Sequence, residues 1–383
     1  MTSINVHIYP SSFKNESRIE KQANSINKLT FFSSILLIGM GKNRNPKALV
    51  SGIPIILLGE ENTPASSIIK IKRFLSWYVD VYKFLKNKHK RNNITCINAH
   101  SLSVLPLCLM MKKITKAKLI YDTHELETET NGSHGIRKIL SKLLERVLIK
   151  HVDHTFVVSK SISKHYIELY QLKNINTVLN APTIMANQRK DIFREKLNIN
   201  SSNIIFLYQG VLSHGRGIEV LLKTFSELDD KSACIVFMGY GPLVEKVIEC
   251  QTNSTNIFYY PAVSPNQVHE HTSSADIGIA LIQNTCLSYK YCMPNKLFEY
   301  GMASLPCIVS PLVEMEKYVT ENECGFVLED YTTLSLEKLI ITACNADLIQ
   351  MRINARNAAV ENSWEQQESL MLSVYKNILG VTE

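Results

Sequence analysis

Short apolar runs alternate with longer amphipathic stretches through the first half of the chain. The runs are VHIYP (6–10), SILLIGM (34–40), PIILLG (54–59), TCINAH (95–100), KLIYD (118–122), HTFVVS (154–159) and TVLNA (177–181). Strands covered on both faces are continuously apolar, so these read as buried parallel strands. Their alternation with amphipathic segments predicts a doubly wound α/β sheet. The pattern then restarts with NIIFLYQG (203–210), CIVFMG (234–239), NIFYYP (256–261), DIGIAL (276–281), PCIVS (306–310) and GFVLE (325–329). Two Rossmann-like domains in series follow, which suits 383 residues at a prior of about 150 residues per domain. We place the first domain at 1–185 and the second at 186–362. The joint is expected in the polar stretch 186–202, with its helix DIFREKLNI. Residues 363–383 are expected to form a closing helix that packs back toward the first domain. In open α/β sheets ligands bind at the carboxyl ends of strands, so a site is expected in a cleft between facing domains.

Charge and composition narrow the setting. No stretch approaches the roughly 20 unbroken apolar residues of a membrane helix. The opening MTSINVHIYP has no basic region followed by an apolar run, so no secretory signal is expected. Nine cysteines without a CxxC pair suit reduced, buried thiols and a cytoplasmic location. The net charge of +7 hides an asymmetry: residues 1–185 hold 27 Lys+Arg against 12 Asp+Glu, whereas the remainder holds 15 against 23. A basic first half implies an anionic partner. The stretch SIIKIKRFLSWYVDVYKFLKNKHKR (67–91) is one place to look. At about 100° per residue, Ile71, Leu75, Tyr78, Tyr82 and Leu85 form a core-facing stripe, with Lys70, Arg73, Trp77, Phe84 and Lys88 along one flank. That flank suits either an anionic bilayer surface or plain solvent. No nucleic-acid-binding module is present, and nucleic acid is not expected as a partner.

Candidate chemistry sits just after strands. GVLSHGRGIE (210–219) offers glycines for close backbone approach, a new helix with unpaired N–H groups, and the cation of Arg216. It reads equally as a diphosphate site or as a glycine-rich turn with a solvated arginine. A second turn, Gly239-Tyr240-Gly241-Pro242, could border a flat base or simply connect strand to helix. PNKLFEY (294–300) is more specific. Pro294 can open a helix, Asn295 and Lys296 expose donors at its start, and Glu299 one turn on can accept two ribose hydroxyls. The plain alternative is an amphipathic helix with Leu297, Phe298 and Met302 in the core and Glu299 in solvent. The pair His269 and His271 has no supporting ligand pattern and reads as surface helix.

Together these features resemble the retaining glycosyltransferases of family 4, of GT-B architecture, and PNKLFEY resembles a subgroup common among bacterial polysaccharide-building enzymes. The resemblance spans nearly the whole chain. It implies that the glycine-rich turn holds the donor diphosphate and that Glu299 is the ribose-binding end of a carboxylate pair. Two positions depart from the family: Tyr291 stands where the first carboxylate belongs, and Val211 where an arginine is common. Lys296 is expected to supply part of the missing charge. In the first half, YPSSF (9–13), NAHSLSVLPL (98–107) and LIYDTHELETE (119–129) resemble the loops facing the acceptor. His124 is then the residue nearest the reacting carbon. Ser12, Phe13, His100 and Glu125 fall on the acceptor side. His100 has a second reading as a strand-end hydrogen-bonding group, and Asp122 is expected to cap the following helix.

The resemblance implies transfer of a sugar from a nucleoside-diphosphate sugar to a hydroxyl of a glycan or lipid-linked acceptor, with retention of configuration, in surface polysaccharide synthesis. His124 and Arg216 are the catalytic candidates. Gly215, Gly217, Tyr240, Gly241, Asn295, Lys296, Leu297 and Glu299 form the donor-binding set. No cofactor and no metal are expected, because side chains supply the cation. The cytoplasm, extending to the inner face of the cell membrane, is the expected location. A sugar-nucleotide 2-epimerase and a non-catalytic nucleotide-binding protein of the same architecture are the alternatives.

Overall fold

The computed structural model describes residues 3–14, 16–42, 47–49, 51–60, 66–229 and 232–380. The chain forms two compact units, Met1–Val178 with Glu368–Glu383, and Leu179–Gln367.

The first unit is built on an eight-stranded sheet of order β3-β4-β2-β1-β5-β6-β7-β8. Its strands are β1 (Ser3–Ile8), β2 (Ser34–Met40), β3 (Lys47–Ala48), β4 (Pro54–Leu58), β5 (Asn93–Ala99), β6 (Lys118–Asp122), β7 (His154–Val157) and β8 (Ile175–Thr177). All neighbours pair in parallel except β3, a two-residue edge strand antiparallel to β4. So short a strand carries no apolar run, and the hydrophobic pattern did not show it. The helices are α1 (Ser17–Asn27), α2 (Ser67–Arg91), α3 (Leu105–Thr115), α4 (Gly135–Leu148) and α5 (Lys160–Tyr170). From the last helix of the chain, Trp364–Leu379, Tyr375 is fully buried in this unit and donates its hydroxyl to Asn98 Oδ1 at 2.5 Å.

Two helices depart from the expected amphipathic pattern. In α2 the buried residues are Trp77, Val81 and Leu85, whereas Ile71 and Leu75 are exposed. Trp77 also donates Nε1–H to the Gly39 carbonyl at 2.8 Å. Leu85 of the expected stripe is buried, but the buried face is turned toward the flank, which brings Trp77 inside. In α4 only Glu145 is buried, and Ile136, Ile139, Leu140, Leu143, Leu144 and Val147 are exposed. Glu145 accepts hydroxyl hydrogen bonds from Tyr121, Tyr166 and Tyr170 at 2.9, 2.7 and 2.8 Å. Burial pushes its carboxyl above the usual range, and the three hydroxyls pull it back only in part.

The second unit carries a six-stranded parallel sheet of order β11-β10-β9-β12-β13-β14. Its strands are β9 (Ile204–Val211), β10 (Ala233–Tyr240), β11 (Ile257–Pro261), β12 (Ile277–Ala280), β13 (Cys307–Val309) and β14 (Gly325–Val327). The order runs outward in one direction from β9 and in the other from β12. Between these strands lies the topological switch point, where parallel sheets bind ligands at the carboxyl edge. The helices are α6 (Ile192–Leu197), α7 (Ile218–Glu227), α8 (Val244–Thr252), α9 (Val268–Thr272), α10 (Leu287–Lys290), α11 (Asn295–Met302), α12 (Val313–Glu321), α13 (Thr333–Asn345) and α14 (Ile349–Glu361). They cover both faces of the sheet, around two apolar clusters.

Close packing holds α11 at the switch point. A Cβ at Gly301 would lie 2.8 Å from Ala359 Cβ on α14, and one at Gly278 would lie 2.3 Å from the Tyr300 ring. Glycine at both positions lets α11 settle between β12 and α14. There the Tyr300 hydroxyl lies 3.0 Å from the carbonyls of both Leu207 and Ile279. Asp276 ties α6 and α14 to the same unit through Arg189, Arg194 and Arg352 and accepts the Ile205 N–H.

Glu145→Ala should lower unfolding stability by about 3 kcal/mol, because three buried phenol hydroxyls lose their acceptor. Urea unfolding of the full chain measures this. A loss within about 0.5 kcal/mol would mean that water replaces the carboxylate at little cost.

Candidate donor and acceptor sites

In the second unit, a cavity of about 430 Å³ opens at the carboxyl edge of β9 and β10 and reaches α11. Arg216, Tyr240, Asn295, Lys296 and Glu299 line it together with Gln209 and Gly210. Its floor depends on close backbone approach: a Cβ at Gly239 would lie 1.9 Å from the Gly210 carbonyl oxygen. At one side, Gln209 donates to Glu299 Oε2 at 2.5 Å and accepts the Thr272 hydroxyl at 2.7 Å. Glu299 is thereby oriented from the end of a strand rather than left in solvent.

Lys296 is 9% exposed, and its ammonium lies 3.8 Å from the Tyr208 ring centroid. Among the described residues it makes no ion pair. Burial, then the nearby Arg216 guanidinium, lowers its pKa to about 7, with Glu299 opposing. The ammonium also borders Gly210, 3.8 Å from where that residue's Cβ would lie. It thus occupies the region beside the position where Val211 replaces a basic residue. Arg216 packs over the Tyr289 ring at 5.7 Å. Two cations on one cavity can neutralise a multiply charged anion.

Other members of the expected donor set shape the backbone instead of lining the cavity. Gly217 (φ 84°) is crowded by Leu281, and Gly241 (φ 140°) lies against the Leu212 carbonyl. The Gly215 carbonyl accepts the Gln283 N–H. Leu297 is a core residue, and its N–H donates to the Pro294 carbonyl at 3.1 Å. His271 is buried too, not part of a surface helix: its Nδ1 meets the Gln267 carbonyl and its Nε2 the Tyr260 hydroxyl.

In the first unit, the carboxyl ends of β1, β5 and β6 gather His7, His100, Asp122 and His124. Asp122 caps no helix. It receives Arg18 on both carboxylate oxygens, with contacts of 2.6 to 3.2 Å, and Gln22 at 2.8 Å. Burial raises its pKa, but Arg18 and the imidazoles outweigh this and hold it well below the usual carboxylate range. His100, fully buried, places Nδ1 3.2 Å from Asp122 and Nε2 2.8 Å from His7 Nδ1. Burial pulls His100 down to about 4 against the pull of Asp122, so it is a neutral, hydrogen-bonded link. That geometry favours its strand-end reading over direct acceptor contact.

His124 is partly exposed, 3.6 Å from Asp122 Oδ2 and 3.3 Å from His100 Nδ1, with its ring tilted against Tyr9. His100, Asp122 and His124 are close enough to share a metal ion. Because Asp122 is already committed to a fixed guanidinium, a divalent cation there would face Arg18. Phe13 is buried at φ 55° beside Gly39, so the 9–13 loop exposes Ser12 instead. Glu125 is exposed, whereas two residues on, Glu127 is pushed up to about 8 by burial and then by Glu125. Arg18, Gln22, His7, Gln209 and Glu127 were not singled out in the sequence. His7 and Gln209, in apolar strand runs, and Glu127, in LIYDTHELETE, carried a positional signal only.

Residues 189–363 match the family model described as glycosyl transferases group 1. The match lies within the second unit. No curated protein matches the chain by sequence. Among solved structures, sucrose-phosphate synthase from Thermosynechococcus elongatus aligns over 100% of both chains at 13% identity and a TM-score of 0.78. HepE from Anabaena, solved with UDP and glucose, aligns over 98% of this chain and 100% of its own at 12% identity and a TM-score of 0.73. A glycosyltransferase from Rickettsia africae aligns over 100% of both chains at 16% identity and a TM-score of 0.73. These likenesses establish a shared GT-B fold of two Rossmann-like parallel-sheet units. The cavity with Arg216, Lys296 and Glu299 lies wholly within the second unit, among the matched residues 189–363.

Lys296 is neutral in the folded chain above about pH 7 but protonated in the unfolded chain up to about 10.4. Folding therefore releases a proton in that window, and this group makes stability rise with pH there. Relative to Lys296→Met, the wild-type chain should gain stability from about pH 7 to about pH 9 in urea unfolding. A pH-independent difference would show an ordinary lysine.

Proposed function

We propose that the protein is a hexosyltransferase-type enzyme that moves a sugar from a nucleoside-diphosphate sugar to a hydroxyl of a glycan or lipid-linked acceptor. We place it in surface polysaccharide synthesis (capsule, O-antigen or exopolysaccharide), in the cytoplasm at the inner face of the cell membrane. The observation that carries the donor reading is the convergence of Arg216 and Lys296, neither in an ion pair among the described residues, on the cavity that also presents Glu299. Glycosyl transfer from such a donor leaves negative charge on the departing diphosphate, and two positioned cations stabilise it as it forms. Glu299, oriented by Gln209, receives ribose hydroxyls, and Tyr240 borders the base.

Transfer proceeds with retention. The acceptor oxygen bonds to the anomeric carbon as the carbon–diphosphate bond breaks, and a diphosphate oxygen on the same face takes the acceptor proton. The step needs no second carboxylate, which accommodates Tyr291. It needs no metal when Arg216 and Lys296 supply the charge. His124, beside Asp122 at 3.6 Å, is the acceptor-side catalytic candidate that the resemblance implies.

UDP is the first donor fragment to test, because HepE, of the same fold, was solved with UDP and with UDP-glucose. At 100 times its dissociation constant it should stabilise the chain by about 2.7 kcal/mol, read as a thermal shift. No shift with any nucleoside diphosphate would sink the donor reading. With a competent donor and acceptor, Arg216→Ala and Lys296→Ala should each lower turnover on the order of 10²-fold. A near-normal rate in either variant removes that residue from the mechanism.

A further inference from the structure

We propose that α4, with the groove beside α3, is a docking surface for an anionic lipid bilayer. Helix α4 is inverted. Its buried residue is the glutamate held by three tyrosines, while Ile136, Ile139, Leu140, Leu143, Leu144 and Val147 are 42–76% exposed. These residues recur at helical spacings of three and four and form one apolar ridge about 17 Å long. An amphipathic helix of a water-soluble unit normally turns such a ridge inward, and a contiguous exposed ridge marks a contact surface.

The ridge continues into a groove of about 780 Å³, with Leu109, Met110, Val147 and Leu148 on its apolar side and Lys112, Lys113, Lys116 and Lys118 on its polar side. Lys112 is paired with Asp153. Lys113, Lys116 and Lys118 are exposed, as are Arg137, Arg146 and Lys150 on and just after α4. An apolar ridge bordered by one sign of charge is the pattern of a helix lying in the headgroup layer, with apolar side chains among acyl chains and cations against anionic phosphates. A second copy of the same face would set these cations against each other, which disfavours self-association there. Among the described residues no helix is long and apolar enough to cross a membrane, so contact would be confined to the surface.

The assignment puts the anionic surface on α4 rather than on the basic flank of α2, which the sequence offered as one of two readings. It deepens the lipid-linked acceptor reading, on which its biological purpose rests. Vesicle binding is measured without donor or acceptor, so the two succeed or fail separately.

The full-length protein should co-sediment with phosphatidylcholine vesicles containing phosphatidylglycerol far more than with phosphatidylcholine alone, and salt should weaken the binding. Leu140→Glu with Leu143→Glu, and separately Arg137→Glu with Arg146→Glu, should each reduce partitioning at least about tenfold while leaving the thermal midpoint near wild type. All four positions are exposed, so the folded unit should tolerate the changes. Failure to bind anionic vesicles, or equal binding by wild type and both variants, overturns the assignment even if UDP still stabilises the chain. Loss of binding in Ile71→Glu but not in the α4 variants moves the surface to α2 and also overturns it. A concentration-dependent dimer that the Leu140/Leu143 variant abolishes would make the ridge an interface between copies instead.

Discussion

Parallel pairing brings the carboxyl ends of neighbouring strands to one edge of a sheet, and both units depend on that constraint. In the second unit the strand order reverses between β9 and β12, so the loops after these strands diverge and leave a concave edge. Glycines at 210, 239 and 241 let the turns crowd together there, because any side chain at 239 would overlap the Gly210 carbonyl. Helix α11 then delivers Lys296 and Glu299 to the same edge, anchored from below by Tyr300 on the carbonyls of Leu207 and Ile279. The chemistry sits where the sheet leaves room for it.

The two units treat buried charge in opposite ways. Asp122 is surrounded by Arg18, Gln22 and His100, so the cost of burying its charge is offset inside the protein. Lys296 lies on an aromatic face beside a second cation, and burial lowers its pKa toward neutrality. A compensated charge stiffens a fold. A cation outside any ion pair, in a cavity, is poised to gain an anion from outside. This contrast separates the scaffold beneath His124 from the cavity that the donor reading rests on.

Glu145 shows a third arrangement. Its carboxylate draws three tyrosine hydroxyls inward and fixes one side of α4. The apolar side chains of that helix are then turned away from the core. A polar anchor thus decides which face of the helix meets the surroundings, against the direction in which hydrophobicity alone would turn it.

The sequence by itself determined the alternation of buried strands and helices, and so the two parallel-sheet units and the edge on which chemistry collects. It also located the helix start at Pro294, with Lys296 and Glu299 on its first turns, because glycine turns, a proline and a strand end are local signals. Tertiary structure decided the rest. Periodicity states which residues share a face but not which face is covered: Trp77 of α2 went inside while Ile71 and Leu75 stayed out. The partners of Asp122 lie about a hundred positions away at Arg18 and Gln22, and Glu299 of α11 is oriented by Gln209 on β9. Contacts between residues so far apart in the chain are created by folding, and no local pattern encodes them.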